Sequence, residues 1–412
     1  MRISLDEAKI QIQRRVTALP WRAYPLMEAL GCITAKAVFA PIDQPPFPRS
    51  PLDGYALQAA DTEGASRETP AWLAVVGASY AGHPSNVRVH SGEAVRIMTG
   101  GAIPEGADCV IMQESTDLGE MSVRVYRAVK PDDNFCHRGE DFTAGDELIA
   151  AGIPVTAAVV AVAASAGLTT LDVYPKPRVA LLSTGDELIP PGTPLANGCI
   201  YGSNEFLLRS YLQELGIGSV ACRAVRDELA ALEQAFLDAA SQCDLMISTG
   251  GVSVGQRDLV PKTLECLGAE TVFHGVAIKP GMPATFAMLG RTPILALSGN
   301  PFAAAASFEL LARPALSVLA CDAGLNCKTG TAVLAKDYKK KSVVPRFLRG
   351  IYDGTTVRVP DNQGNGQIRT LIGCNCLAEL PVGEGTEAGT VVRIYRLGKS
   401  VYASESACDQ RL

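Results

Sequence analysis

Three short apolar runs in the second half of the chain each end in a turn of small hydroxyl residues and glycine. The runs with their turns cover residues 179–187, 245–255 and 294–301. Fully apolar runs closed by glycine are typical of strands buried on both faces of a parallel sheet. Helix-like stretches lie among them, at residues 205–215, 228–240, 261–267 and 302–311. Strands that alternate with helices predict βαβ units, whose ligands bind at the carboxyl ends of the strands.

The patterns on either side of this region are different. A first helix is predicted to begin at a capping box, Ser4 to Glu7, which opens an apolar stripe at helical spacing. From residue 53 to residue 129, short alternating segments separated by Gly and Pro predict a small β domain. Beyond residue 327 the alternation returns, with Asp353-Gly354 as a hairpin turn. The chain therefore reads as β-rich, then α/β, then β.

Composition narrows the class of protein without giving a function. The 412 residues carry a net charge of −6, which gives no support to nucleic-acid binding. The four histidines lack zinc-ligand spacing, which argues against a zinc enzyme. The twelve cysteines contain no CxxC pair, and we see no signal peptide, so free thiols are expected.

Residues 149–171 form a charge-free stretch that imitates a membrane span. Gly152 and Pro154 interrupt its start, and Gly167 closes it. The remaining helix of about a dozen residues is too short to cross a bilayer. We therefore predict a buried helix there, in a cytoplasmic protein that binds no membrane.

The hydroxyl and glycine turns predict an anion site. Their backbone N–H groups and hydroxyls form a cradle of the kind that binds phosphate. Asp186, Glu187 and Asp258 lie beside the same turns, where carboxylates would hold a divalent metal. A phosphate cradle next to carboxylates indicates metal-assisted chemistry on a phosphorylated substrate.

Structural explanations of the same residues stay open. The Asp186-Glu187 turn would suit a helix start, and Asp227 would suit a helix N-cap. The loop that ends at Asp258 could be an ordinary glycine-rich loop, and Lys279 could be a solvent-exposed charge at a strand end. No Ser-His-Asp or Cys-His arrangement is recognisable in the sequence, so covalent catalysis has no candidate.

Seven motifs occur along the chain in an order that is found in one family. They are PFPRSPLDGYAL, RIMTGGAIPEGADCVIMQE, RGEDFTAGDELIAAG, RVALLSTGDEL, STGGVSVGQRD, IKPGMPATFA and LSGNP. Over nearly its whole length the chain resembles molybdopterin molybdotransferase, the MoeA family that includes the gephyrin E domain. The resemblance implies an elongated homodimer with its active site in a cleft between subunits. It also implies Mg²⁺-dependent cleavage of adenylylated molybdopterin, release of AMP and transfer of molybdate to the dithiolene. A molybdopterin adenylyltransferase would be the upstream donor.

The fold implied by the resemblance is multidomain α/β plus β. A discontinuous linking domain, helical and extended, would comprise residues 1–50 and 138–175, with an inserted β domain at 51–137. A central parallel-sheet α/β molybdopterin-binding domain would occupy 176–326, and a β-barrel-like C-terminal domain 327–412.

Motif positions also imply the site residues. Those expected to act in the reaction are Asp53, Thr99, Glu187, Asp227, Asp258, Lys279 and Arg349. The expected metal ligands are Asp186, Glu187 and Asp258. The residues expected to line the substrate pocket are Ser183, Thr184, Gly185, Ser248, Thr249, Gly250, Gly251, Ser253, Pro280, Ser298, Gly299, Asn300 and Asn365.

Four positions depart from the family pattern, namely Arg49, Gly275, Ser298 and Asn365. Gly275 replaces a basic residue, and Asn365 replaces a serine associated with oxyanion binding. The carboxylates are intact, so phosphate cleavage is better supported than molybdate affinity. Two alternatives stay open: adenylylation of molybdopterin, and a catalytically weak paralog that serves as a binding scaffold.

Overall fold

The computed structural model describes residues 2–252 and 259–398. Two predicted site residues, Ser253 and Asp258, therefore lie outside the described residues. The chain divides into two compact units. The first comprises Met1–Arg22, Gly31–Ile33 and Val173–Leu412, and the second comprises Ala23–Leu30 and Thr34–Asp172. The predicted division into four domains stays a prediction.

The helices of the described chain are α1 (Leu5–Arg15), α2 (Ala157–Ser165), α3 (Asn204–Glu214), α4 (Leu229–Ala240), α5 (Val260–Cys266), α6 (Pro301–Ser307) and α7 (Arg313–Leu319). The strands up to the central sheet are β1 (Arg22–Pro25), β2 (Ile33–Thr34), β3 (Val38–Phe39), β4 (Gly54–Leu57), β5 (Ala71–Ser79), β6 (Glu93–Ile97), β7 (Cys109–Met112), β8 (Ser122–Val125), β9 (Glu147–Ile149) and β10 (Thr170–Tyr174). The later strands are β11 (Val179–Thr184), β12 (Leu188–Ile189), β13 (Ile200–Tyr201), β14 (Ser219–Val225), β15 (Leu245–Thr249), β16 (Glu270–His274), β17 (Thr285–Leu289), β18 (Thr292–Leu297), β19 (Thr329–Leu334), β20 (Arg346–Tyr352), β21 (Thr356–Arg358), β22 (Cys376–Leu380) and β23 (Val391–Arg396).

The first unit is built on a six-stranded sheet with the order β14-β11-β15-β18-β17-β16. The first four strands run parallel, as the sequence predicts. The last two continue the sheet antiparallel, which the sequence analysis did not foresee. Every residue of β11 and β15 is buried, because helices cover both faces.

Alternate residues of these strands enter two separate cores. Leu181 and Ile247 pack with α1, α3, α6 and α7 on one face, whereas Leu182 and Met246 pack with α4 and α5 on the other. The period of two thus distributes a continuous apolar run between two helical layers. Helix α1 begins at Ser4, whose Oγ accepts a hydrogen bond from the Glu7 backbone N–H at 3.1 Å, which confirms the predicted cap.

The helix after the third turn is longer than predicted. It continues past Leu311 to Leu319, through a π-helical segment, Phe308–Ala312, that joins α6 to α7. Pro314 falls in the first turn of α7, directly after the π-helical segment. By length and composition the stretch Pro301–Leu319 could cross a membrane, but 94% of its apolar window is buried inside the folded chain.

The two β regions take the predicted form. Strands β19-β21-β20-β22-β23 close a small barrel, and β7-β4-β6-β5-β8 form a five-stranded sheet in the second unit. Helix α2, which was predicted to be buried, is not. It has nine residues, of which Ala163 alone is buried.

Candidate functional site at the carboxyl edge of the central sheet

Three predicted carboxylates meet where β11 ends. Beyond Thr184 the chain turns at Gly185, whose φ of +152° favours glycine, and the Glu187 carboxylate lies over it, 2.7 Å from where a Cβ would stand. The Asp227 backbone N–H donates to Asp186 Oδ1 at 3.1 Å. A cleft of about 350 Å³ is lined by Asp186, Glu187, Asn197, Gly198, Cys199 and Asp227. The structure thus brings Asp186, Glu187 and Asp227 to one acidic cleft.

The carboxylates of the acidic cleft are oxygen ligands of the kind that bind Mg²⁺ together with substrate phosphates. Among the described residues, no group of three or more His, Cys, Asp or Glu is arranged to hold a metal. Mg²⁺ is usually held by one or two carboxylates together with substrate phosphates and water, and the cleft offers oxygen donors of this kind.

The alternative that Asp227 caps α4 is wrong, since the N-cap residue is Glu228.

Four hydroxyl side chains lie at the same edge of the sheet, two at the end of β11 and two at the end of the neighbouring strand β15. The Oγ atoms of Ser183 and Thr249 lie 3.2 Å apart within hydrogen-bonding distance. Thr184 Oγ1 and Ser248 Oγ are buried and have no hydrogen-bond partner among the described residues. Because a buried hydroxyl without a partner is costly, these two atoms mark a place where an external polar group would fit.

Two glycines allow the backbone after β15 to approach Thr184 closely. Gly250 and Gly251 have φ values of +93° and +61°. A Cβ at Gly250 would collide with the Thr184 backbone oxygen, and one at Gly251 would lie 3.0 Å from Thr184 Oγ1. A side chain at Gly250 would therefore collide with the backbone of Thr184, and one at Gly251 would be strained by its positive φ and by a tight contact with Thr184.

The third turn is held by a residue that sequence reasoning missed. Asn204, at the start of α3, donates from Nδ2 to the Gly299 carbonyl at 2.8 Å. Ser298 Oγ in turn accepts from the Asn300 N–H at 3.3 Å. Asn204 Oδ1 is buried without a hydrogen-bond partner among the described residues. A Ser-Asn pair opening a helix after a glycine was the available signal, but it is also the commonest pattern of a helix cap.

Lys279 lies on the loop that connects β16 and β17. Its side chain is exposed, while the following Pro280 is buried. The Lys279 N–H donates to the Pro345 carbonyl at 3.0 Å, and the Phe347 N–H donates to the Lys279 carbonyl at 2.8 Å. The barrel strand β20 therefore fixes the Lys279 backbone and leaves its ammonium group in solvent.

Arg349 is placed differently from Lys279. It is completely buried on β20, and its guanidinium lies 4.0 Å from the centroid of the Phe302 ring. Its Nη2 donates to the carbonyls of Asn362 and Gly364 at 3.0 and 3.1 Å, and its Nη1 donates to the Gln367 carbonyl. Burial lowers the pKa of Arg349. The arginine is thereby occupied in holding the segment of residues 362–367.

That segment contacts the third turn. The Asn365 carbonyl accepts a hydrogen bond from the Phe302 N–H at 3.0 Å, in the first turn of α6. Since α6 begins directly after Ser298, Gly299 and Asn300, the predicted pocket residues of the barrel and of the α/β sheet meet here. The Asn365 side chain is exposed.

Two predicted residues come together in the second unit. Asp53 Oδ1 accepts hydrogen bonds from both the backbone N–H and the hydroxyl of Thr99, each at 2.8 Å. These bonds, the backbone one first, lower the pKa of the Asp53 carboxyl. Asp53 is therefore held ionised on the turn that precedes β4.

The fold and the site define a class of protein: a multidomain chain with buried hydroxyls and an acidic cleft at the carboxyl edge of an α/β sheet, joined to a small barrel. Family models match the same regions. Residues 3–167 match the MoeA N-terminal region (domain I and II), 180–318 a probable molybdopterin binding domain, and 331–397 the MoeA C-terminal region (domain IV).

Individual relatives agree with the family models. Proteins named molybdopterin molybdenumtransferase from Staphylococcus aureus (strain MSSA476) and Staphylococcus epidermidis (strain ATCC 35984) are each 32% identical over 397 residues, which is 95% of either chain. A crystal structure of a molybdopterin biosynthesis MoeA protein from Pyrococcus horikosii matches with a TM-score of 0.80 at 29% identity, over 96% of this chain and 99% of that one. The chain belongs to the MoeA family of molybdopterin molybdenumtransferases, and the resemblance predicted from its motifs is confirmed.

Proposed function

We propose that this protein is a molybdopterin molybdenumtransferase of molybdenum cofactor biosynthesis. It would cleave adenylylated molybdopterin, release AMP and transfer molybdate to the dithiolene. One observation carries the proposal most directly: the acidic cleft and the partnerless hydroxyls adjoin each other at Thr184 and Gly185. A substrate that bridges them needs both phosphates and a polar group that can pair with buried hydroxyls.

In this proposal the hydroxyl residues bind the substrate and the carboxylates bind Mg²⁺. Thr184 and Ser248 would pair with the polar part of the substrate, because their buried hydroxyls have no hydrogen-bond partner among the described residues. Asp186, Glu187 and Asp227 would hold Mg²⁺ against the phosphates. A bound Mg²⁺ would neutralise negative charge that develops on the phosphates during cleavage.

The basic residues have separate roles in the proposal. Lys279 presents an exposed ammonium to the anionic substrate, whereas Arg349 acts at a distance by holding the segment that carries Asn365. We assign Arg349 as a positioning residue, because contact between its guanidinium and an oxyanion would require breaking hydrogen bonds that are buried. Participation of the barrel also favours the transferase over adenylylation by an α/β domain alone.

The proposal also covers the oligomeric state of the protein and the source of its substrate. We propose a homodimer whose site uses Asp53 and Thr99 as well as the carboxylates of the first unit, and a molybdopterin adenylyltransferase as donor. Mixing Asp53→Ala chains with Glu187→Ala chains tests the shared site. Activity that reappears after subunit exchange supports it, and persistent inactivity of the exchanged mixture contradicts it.

The activity itself is tested by supplying adenylylated molybdopterin, Mg²⁺ and molybdate to the full chain. AMP is measured by chromatography, and finished cofactor by reconstitution of a molybdenum enzyme that lacks it. We expect both products, each dependent on Mg²⁺. If neither AMP nor cofactor forms, the proposed function is wrong. AMP without cofactor would place the defect in the handling of molybdate.

A further inference from the structure

Asn204 lies among the hydroxyl and glycine turns of the candidate site, and one atom of its side chain is unused. It is the first residue of α3 and is only 9% exposed. Its Nδ2 donates to the Gly299 carbonyl at 2.8 Å, whereas its Oδ1 is buried with no hydrogen-bond partner among the described residues. A buried amide oxygen without a donor is costly, so this atom is one that a ligand can complete.

The contact with Gly299 fixes which way the amide faces. A backbone carbonyl accepts hydrogen bonds and cannot donate one, so the Asn204 atom beside the Gly299 carbonyl must be the NH₂ group. The other atom is therefore the amide oxygen, which is an acceptor only. It requires an N–H or O–H donor, and it would repel an oxyanion.

Asn204 is connected by close contacts to the two hydroxyls that also have no partner. A Cβ built on Gly299 would lie 3.3 Å from Gly250 Cα, so the third turn touches the second. A Cβ built on Gly250 would lie 2.9 Å from Thr184 Oγ1, so the second turn touches the end of β11. Ser248 is on β15, directly before the second turn. Three buried oxygens without partners among the described residues therefore lie on adjoining elements at one edge of the sheet.

These three oxygens differ in chemistry from the acidic cleft beside them. Two hydroxyls and an amide oxygen are uncharged, whereas the cleft is lined by carboxylates. Uncharged acceptors and hydroxyls suit the edge of a neutral heterocycle, whose ring and amino N–H groups donate hydrogen bonds. Two parts of adenylylated molybdopterin carry such donors: the pterin ring, through its amide and amino groups, and the adenine ring, through its amino group.

We infer that Asn204 is a specificity-determining residue that accepts a hydrogen bond from a heterocyclic N–H of the substrate. The inference rests on the proposed function for the identity of the heterocycle, which is the pterin or the adenine. Because one amide group makes both contacts, the same side chain places the ring against the turn at Gly299. A ligand without an N–H group leaves Oδ1 buried and unpaired, and the site discriminates against it for that reason.

The test pairs a change in the protein with a change in the ligand, using isothermal titration calorimetry on the full chain. Asn204→Leu removes the amide at similar side-chain volume, and we expect it to bind pterin about tenfold more weakly than the parent does. Pteridine, which lacks the amide and amino groups of pterin, should bind both proteins with equal affinity. AMP and purine riboside monophosphate, which lacks the amino group of adenine, form the corresponding pair for the adenine ring.

Two further variants separate recognition of the ligand from support of the third turn. Asn204→Asp keeps an acceptor oxygen but cannot donate to the Gly299 carbonyl, so it should retain most of the affinity that Asn204→Leu loses. Asn326→Leu is the matched control, since Asn326 donates from Nδ2 to Ser317 Oγ at 2.7 Å in the segment after α7. It should bind every ligand as the parent does. Thermal unfolding shows that each variant is folded.

A loss in Asn204→Leu for pterin alone assigns the N–H donor to the pterin ring, and a loss for AMP alone assigns it to adenine; a loss for both means that either ring donates. Equal affinities of Asn204→Leu and Asn326→Leu for both ligands would overturn the inference. An equal loss for the analogues without N–H groups, Asn204→Asp binding as weakly as Asn204→Leu, or a parent protein that binds neither pterin nor AMP would also overturn it.

The same measurements keep this inference distinct from the proposed function. A parent protein that forms cofactor while its ligand affinities do not depend on Asn204 would refute the inference alone. A parent protein that binds pterin or AMP through Asn204 but forms neither AMP nor cofactor from adenylylated molybdopterin would refute the proposed function and leave the inference standing.

Discussion

The barrel and the carboxyl edge of the central sheet both contribute buried polar groups to the candidate site. Those of the barrel have hydrogen-bond partners, whereas two of those at the sheet edge have none among the described residues. On the barrel, the buried guanidinium of Arg349 donates to three carbonyls and stacks on Phe302. At the sheet edge, Thr184 Oγ1 and Ser248 Oγ are buried without a hydrogen-bond partner among the described residues. A satisfied buried group stabilises the fold, whereas an unsatisfied one costs stability unless a ligand completes it. The buried hydrogen bonds of the barrel therefore stabilise the fold, whereas the sheet edge is where we expect a ligand to bind.

The comparison is tested most strongly at Arg349. In Arg349→Met the carbonyls of Asn362, Gly364 and Gln367 lose their donor in a buried setting. We expect the free energy of unfolding to fall by about 3 kcal/mol. Urea denaturation followed by circular dichroism measures it. Arg358→Met, an exposed change in the same barrel, is the control and should cost little. A loss no larger in Arg349→Met than in the control would show that the buried hydrogen bonds do not hold the 362–367 segment.

A smaller loss of stability is expected at Gly250. Gly250→Ala combines an unfavourable φ of +93° with a collision against the Thr184 backbone oxygen, and should cost about 2 kcal/mol. Gly268→Ala is the matched control, because Gly268 has a φ of +68° but open space around it. It should cost about 1 kcal/mol from backbone strain alone. Equal costs in urea denaturation would mean that close approach to Thr184 contributes nothing.

The sheet-edge hydroxyls should respond with opposite signs in stability and in binding. Thr184→Val removes a buried hydroxyl that has no partner while keeping the shape of the side chain. We expect the free energy of unfolding to rise by about 1 kcal/mol and the affinity for adenylylated molybdopterin to fall about fivefold. Ser183→Ala, which removes a hydroxyl that pairs with Thr249, is the contrast and should lower stability instead. A Thr184→Val protein that is less stable and binds as tightly as the parent would assign Thr184 to the fold.

The smallest effect concerns the Asp53 carboxyl. Its pKa is lowered in the folded chain, so the stabilisation it gives is present above the unfolded-state pKa and is lost as pH falls through the folded-state pKa. Thr99→Val removes the hydroxyl hydrogen bond and keeps the backbone one, so the pKa of Asp53 should rise part of the way towards its ordinary value. Carbon-13 NMR titration of the carboxyl measures this. Thr143→Val, whose hydroxyl donates to Asp146 instead, should leave the Asp53 titration unchanged. An unshifted Asp53 in Thr99→Val would contradict the assigned bond.

The sequence predicted best what depends on local pattern. The apolar runs ending near Thr184 and Thr249 could be placed in a parallel sheet because burial on both faces leaves an unbroken run. The cap at Ser4 follows from residues within one turn of helix. The antiparallel strands β16 and β17 escaped notice, since their pattern does not differ from that of other half-buried segments. The end of the long helix was misplaced because Pro314 reads as a terminator unless the π-helical segment before it is known.

The sequence indicated which residues are candidates for the site, but it predicted only part of their arrangement in space. The strand ends placed Asp186 and Glu187 correctly beside the hydroxyl turns, because parallel strands finish at one edge. The burial of Arg349 could not be read from FLRG, since its partners are backbone carbonyls some fifteen residues further on.

The central claim is that the acidic cleft acts on the phosphates of the substrate, and single-turnover AMP release tests it most directly. Glu187→Gln removes a carboxylate charge with almost no change in shape, and Glu265→Gln does the same at an exposed position on α5. With adenylylated molybdopterin bound and Mg²⁺ in excess, we predict that AMP release by Glu187→Gln slows about a hundredfold, as expected for weakened stabilisation by the metal. Glu265→Gln should release AMP at the parental rate, and both variants should unfold at the parental temperature. Parental AMP release by a folded Glu187→Gln protein would contradict the account.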